Sequence, residues 1–145
     1  MKDVAIGFDA SVTATGGEGA AGIGTGQEGK MRYITINCDN VTATGGKNGA
    51  GIGSGYKGDI ESIYIIGGTI TATGGTWGAG IGGAYQTSGG YIVIDTTGSI
   101  TATGGQSSAG IGAGRMGQFG SIEITGGAGE INAQGGCRRR RRDRK

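Results

Sequence analysis

Eight threonines recur in pairs with one alanine between them: Thr13 and Thr15, Thr42 and Thr44, Thr71 and Thr73, Thr101 and Thr103. Alternate residues of an extended strand point the same way, so each Thr-Ala-Thr sets two hydroxyls and two methyls on one face, about 6.7 Å apart. A hydroxyl becomes a nucleophile only beside a base. With no histidine in the chain and its Asp and Glu scattered at non-repeating positions, these threonines are suited to contacting a surface rather than to breaking a bond. No catalytic residue is expected, and no CxxC or grouped carboxylates offer a metal or cofactor site. Polysaccharide lyases need Asp, Lys or Arg grouped on one face, whereas the threonine face offers only hydroxyls. Matches to GxGxxG such as GIGSGYKG at 51–58 lack the helix and βαβ unit of a phosphate loop and read as corners. Calcium-binding nonapeptide repeats need an Asp that recurs after the glycines, and none does.

Three further groups carry chemistry. Tyr56, Trp77 and Tyr85, with Met116, occupy or adjoin the corners after the recurring AGIG. They form a patch that stacks on a glycan or partner, or else they cover the end of the core. Arg138, Arg139, Arg140, Arg141, Arg142, Arg144 and Lys145 make a basic tail suited to salt-sensitive, sequence-indifferent polyanion binding. The favoured reading is a solvated end whose charge keeps the last strand from pairing with another chain. Cys38 and Cys137 lie about three rungs apart, roughly 14 Å, which is too far to bridge within one chain. Cys137, beside the arginines, is placed for an intermolecular disulfide.

These residues sit in a repeat. Near-copies of VTATGGKNGAGIG begin at Val12, Val41, Ile70 and Ile100, in steps of 29, 29 and 30 residues, and a decayed copy, INAQGG, begins at Ile131. Before each lies a short alternating segment, strand A: Val4 to Ile6, Ile34 to Ile36, Ile63 to Ile65, Ile92 to Ile94 and Ile122 to Ile124. Strand B is VTAT and strand C is AGIG, with Gly-rich corners between. Runs this short and this rich in β-branched residues are strands, not helices. No single repeat buries its own apolar side chains, so the repeats must stack. The expected fold is all-β: a three-sided parallel β-solenoid of about four and a half coils, each of 29–31 residues. It would span 1–137 as one domain, with 138–145 as a basic, disordered tail.

The period of two then assigns faces. Ile34, Ile36, Val41, Ala43, Ala50 and Ile52 point inward, giving a thin, dry core of Ile and Ala rather than aromatics. Outward, face A carries Ala5, Thr35, Tyr64, Val93 and Glu123, with no shared chemistry. Face B carries the two files of threonine. Face C shows bare backbone at Gly22, Gly24, Gly51, Gly53, Gly80, Gly82, Gly110 and Gly112, so self-association is expected through this glycine face or through the open solenoid ends.

Composition agrees with an ordered repeat. The 145 residues include 38 Gly, no Pro and no His, and 34% are hydrophobic. That much glycine usually signals disorder, but disorder does not return β-branched residues to register every 29 positions. The net charge of +2 divides into +6 for the tail, with seven Lys/Arg against one Asp, and −4 for the rest, with six basic and ten acidic residues. The opening MKDVAIGFDASV has no apolar run of signal-peptide length, and no segment approaches the ~18 apolar residues of a membrane helix.

The run ITATGGTWGAGIGG, preceded by SIYIIGGT, resembles the Gly-rich repeats of large surface proteins from gut-dwelling Firmicutes, over nearly all of residues 4–136. That resemblance implies an extracellular spacer or adhesive stalk with no chemistry assigned to the repeat. Thr13-Ala14-Thr15 through Thr101-Ala102-Thr103 is similar to the ice-binding face of insect and bacterial β-solenoid antifreeze proteins. It implies a grid of hydroxyls and methyls that orders water. The expectation is therefore a non-enzymatic structural or surface-interaction module, with ice binding by the threonine face and weak glycan binding at the aromatic corners as alternatives.

Overall fold

A computed structural model describes residues 2–7, 9–125 and 129–137. The strands are β1 (Lys2–Ile6), β2 (Ser11–Thr15), β3 (Ile23–Gly24), β4 (Lys30–Thr44), β5 (Ile52–Gly53), β6 (Asp59–Thr73), β7 (Ile81–Gly82), β8 (Ser88–Ile94), β9 (Ile100–Gln106), β10 (Ile111–Gly112), β11 (Gln118–Ile124) and β12 (Ile131–Gly136). Every pairing is parallel, and each joins a residue to its equivalent in the next repeat. Val12 pairs Val41, Val41 pairs Ile70, Ile70 pairs Ile100 and Ile100 pairs Ile131. The chain is a β-solenoid with one coil per repeat.

Like side chains therefore lie directly above like. Ile34, Ile63 and Ile92 form one buried file, Ile36, Ile65 and Ile94 a second, and Val41, Ile70 and Ile100 a third, all at 0–1% exposure. Burying a side chain of this size stabilises the fold by roughly 1.5–3 kcal/mol. Because a coil cannot shield these groups alone, that gain exists only in the stack.

Three features differ from the sequence reading. First, segments A and B are not separate strands in the second and third coils but run continuously as β4 and β6. Their corner is a register shift, where Ile36 pairs Ile65, Asn37 pairs Gly67 and Asn40 pairs Thr69. Cys38 lies inside β4 at 4% exposure, where burial pushes its thiol pKa up, and both Cys38 and Cys137 are free. Second, β4 and β6 begin earlier than expected. Met31 and Ile60 are also buried, at 7% and 2%. Met31 and Ile34 both face inward although three residues apart, so the alternation breaks at Arg32 and Tyr33 and hides this part of the strand from a period-two search.

Third, the third side is not a flat face. The Ala50 N–H donates to the Ser54 carbonyl at 3.0 Å, and Ala21 to Thr25, Ala79 to Gly83 and Ala109 to Ala113 repeat the bond at 2.8–3.0 Å. A chain whose fifth residue returns to its first must curl. AGIG is thus a tight inward curl whose last two residues form the short strands β3, β5, β7 and β10 of a four-stranded parallel sheet, with Ile52, at 0% exposure, at its tip. The glycines expected on an outer face are buried from Gly51 to Gly112 and half-buried at Gly22 and Gly24. A Cβ at Gly51 would strike the backbone of Thr73 and Gly80. The correction removes the glycine face as a surface for self-association.

Candidate functional surfaces

The eight threonines lie where stacking puts them. Thr13, Thr42, Thr71 and Thr101 pair in sequence, as do Thr15, Thr44, Thr73 and Thr103. The first file is exposed throughout, whereas in the second Thr15 is exposed and Thr44, Thr73 and Thr103 are half-buried. Asn132 and Gln134 continue the files opposite Thr101 and Thr103, ending the threonine pattern. A third outward file, missed in the sequence, precedes them: Ser11 pairs Asn40, which pairs Thr69, and Ser99 follows next to Ile100. Its members change identity from coil to coil, so repetition did not reveal it; counting two residues back from each first threonine would have.

The aromatic residues form a stack. Tyr56 and Tyr85 lie 5.5 Å apart and nearly parallel at 6°, and Trp77 meets Tyr85 at 5.0 Å and 36°. Trp77 belongs to the corner before β7, not after it, as the sequence reading had grouped it. It reaches Tyr85 because the inward curl of AGIG brings both corners of a coil side by side; the Arg115 N–H donates to the Trp77 carbonyl at 3.1 Å, and the Tyr56 N–H to Gly19 at 2.8 Å. The Arg115 guanidinium sits 4.7 Å from the Trp77 ring centre and the Lys57 ammonium 5.3 Å from that of Tyr56. The rings thus face each other and two cations. A hollow of about 300 Å³ beside them is lined by Glu18, Gln27 and Asn48. Met116, 67% exposed, projects into solvent.

A cleft of about 560 Å³ on the A side was not foreseen. It lies between Tyr33, Tyr64 and Tyr91, with Asp59, Glu61 and Ser88 at its rim. Tyr33 pairs Ser62 and Ser62 pairs Tyr91, so the two tyrosines share a file with a serine between them. Tyr33 and Tyr91 are 38% and 58% exposed, and Ser62 only 4%. Tyr64 braces Tyr33 at 6.0 Å. Arg32 lies 5.3 Å from the Tyr33 ring centre and donates to Asp3 at 2.7 Å. That hydrogen bond holds the Asp3 carboxyl below its ordinary range and the guanidinium above its own. The signal was available, since Tyr33 and Tyr91 are 58 residues apart, two repeats. It lay in the part of the strand concealed by the break at Arg32.

Residues Arg138 to Arg142, Arg144 and Lys145 lie outside the described residues. Among the described residues no group of three or more Cys, Asp or Glu is placed to hold a metal ion, and no helix is long and apolar enough to cross a membrane.

The family model for a beta helix repeat matches residues 9–27, 34–56, 63–85 and 98–115, more than half of the chain. No curated protein and no solved structure matches it. The second and third matched spans start at the same inward isoleucine, Ile34 or Ile63, and end at the stacked tyrosines, Tyr56 or Tyr85, so the family's unit coincides with the coil. By that match and by its coiled register, the chain belongs to the beta helix repeat family.

Proposed function

We propose that this chain is a non-enzymatic structural module, a stiff β-solenoid that sets distance and presents surfaces to other molecules. One observation carries the reading. Inward isoleucines such as Ile34, Ile63 and Ile92 repeat in register from coil to coil, while residues that vary, such as Tyr33 and Glu123, stand outside. A stack of this kind is additive, each coil contacting only its neighbours. Inserting a second copy of residues 41–69 after Thr69 is expected to lengthen the molecule by one rung, about 4.8 Å, in small-angle scattering, with no fall in melting temperature. An inserted coil that loops out, leaving the length unchanged, would defeat the module reading.

Ice binding by the threonine face is a second reading, supported by the in-register, exposed file Thr13, Thr42, Thr71 and Thr101. Rungs about 4.8 Å apart and threonines about 6.7 Å apart make a two-dimensional grid that can order water. The plain alternative is that threonine suits exposed strands and stacked pairs stabilise adjacent rungs by roughly 0.2–1 kcal/mol. Thermal hysteresis in a nanolitre osmometer decides between them. Activity lost in Thr71→Tyr supports ice recognition, and no hysteresis at high concentration leaves the threonines a structural role.

A further inference from the structure

We propose that the A-side cleft binds an extended, uncharged, β-linked oligosaccharide on two platforms, Tyr33 and Tyr91. The inference deepens the reading of the chain as a surface-presenting module and rests on it. Its basis is spacing. The two tyrosines point outward from one file two rungs apart, roughly 9.6 Å, and between them Ser62 is small and buried. Between the two platforms their file carries no third aromatic. Alternate rings of an extended β-linked glycan present the same face at about this interval, so sugars one and three would each meet a tyrosine.

The rings are available for that contact. Tyr91 is 58% exposed, and among the described residues no aromatic or cation covers it. Tyr33 has Tyr64 at 6.0 Å and Arg32 at 5.3 Å from its ring, and it keeps 38% of its surface exposed. The aromatic corner is more crowded, with three rings and two cations, Lys57 and Arg115, against one another. Beside Tyr91 the floor is glycine: a Cβ at Gly90 would overlap the Glu61 carbonyl, so the backbone itself keeps that floor free of side chains. The volume of about 560 Å³ lies in the range of small-ligand sites, where apolar walls hold a few placed polar groups.

Charge and hydrogen bonding select the class of occupant. Asp59 and Glu61 stand at the rim, Lys30 lies in register beside Asp59, and Arg32 is already paired with Asp3. The rim keeps a net negative charge, which disfavours uronates and sulfated sugars. Carboxylates accept hydrogen bonds and cannot donate them, which suits sugar hydroxyls. A proline-rich peptide, the other extended ligand for an aromatic groove, can accept from the tyrosine and serine hydroxyls but, poor in N–H groups, would leave the two carboxylates without partners.

Calorimetric titration with cellohexaose and chitohexaose tests the proposal, with cellobiose, oligogalacturonate and a proline-rich peptide as comparisons. One or both hexasaccharides are expected to bind, cellobiose about tenfold more weakly, and oligogalacturonate and the peptide not at all. Tyr33→Ala and Tyr91→Ala should each weaken binding about tenfold, while Tyr91→Trp retains it. Ser62→Tyr keeps both platforms and fills the gap between them, and it should abolish binding with the β circular dichroism unchanged. Thr71→Tyr, on another face, should have no effect. No heat with either neutral hexasaccharide at millimolar concentration overturns the proposal, as does binding that survives loss of both tyrosines or a preference for the peptide or the acidic sugar. If the chain with an inserted coil lengthens and yet no sugar binds, this proposal alone falls.

Discussion

Gly53 shows how little latitude a thin solenoid leaves one residue. Its φ is +142°, and a Cβ would overlap the Gly82 carbonyl of the next coil. Gly53→Ala is therefore expected to cost at least about 1–3 kcal/mol from backbone conformation alone, read as a lower urea midpoint. Gly26→Ala makes the control: nothing lies within 4 Å of its Cβ position, and its stability should change by no more than about 0.5 kcal/mol. Equal losses at both sites would mean that glycine serves only chain flexibility. Charge acts at this scale too. The Arg32 guanidinium lowers the Asp3 pKa, so this pairing helps seat β1 fully above the ordinary carboxylate range and is lost as pH falls through the lowered value. In Arg32→Ala, the Asp3 titration should move upward by NMR; an unchanged titration would show that the ion pair does not hold in solution.

Among the elements, the AGIG loop was the hardest to read. VTAT was legible because β-branched residues alternate within it and the alternation returns every 29 positions. AGIG alternates as well, Ala50 with Ile52, yet the alternation there comes from a curl rather than a pleat. Only the Ala50-to-Ser54 hydrogen bond separates the two, and both of its atoms are backbone, which sequence identity does not report. The same limit applies to the tyrosine cleft. Beside it Met31 and Ile34 both turn inward, a bend that breaks the period of two. The curled loop has a measurable consequence: Ile52 reaches the core by its tip and is wholly buried between neighbouring coils, so Ile52→Ala should cost about 2–5 kcal/mol. Ile23, at 6% exposure in the first coil, should cost less. Thermal melts of the two variants compare them directly, and equal costs would mean that the tips do not bear on the stack.

Across the whole molecule, nearly every strand contact joins residues about 29 positions apart, so no coil holds its shape without a neighbour. Stability in such an array is a sum of coil and interface terms and need not be uniform. β6 has partners on both edges, β4 on one side and β8 with β9 on the other, whereas β1 and β2 pair only β4, and β11 and β12 pair only β8 and β9 among the described residues. Side-chain burial follows the same gradient. Ile92 and Ile94 are fully buried, but Ile122 and Ile124, the equivalent inward residues one coil later, are 46% and 49% exposed. Amide hydrogen exchange should therefore be slowest in β6, faster in β1 and fastest in β11 and β12, because openings that release one terminal coil cost less than those that release two interfaces. Uniform protection from β1 to β12 would mean instead that the coils unfold together. The surfaces would then be displayed by one cooperative body, and an inserted coil would change the stability of every other.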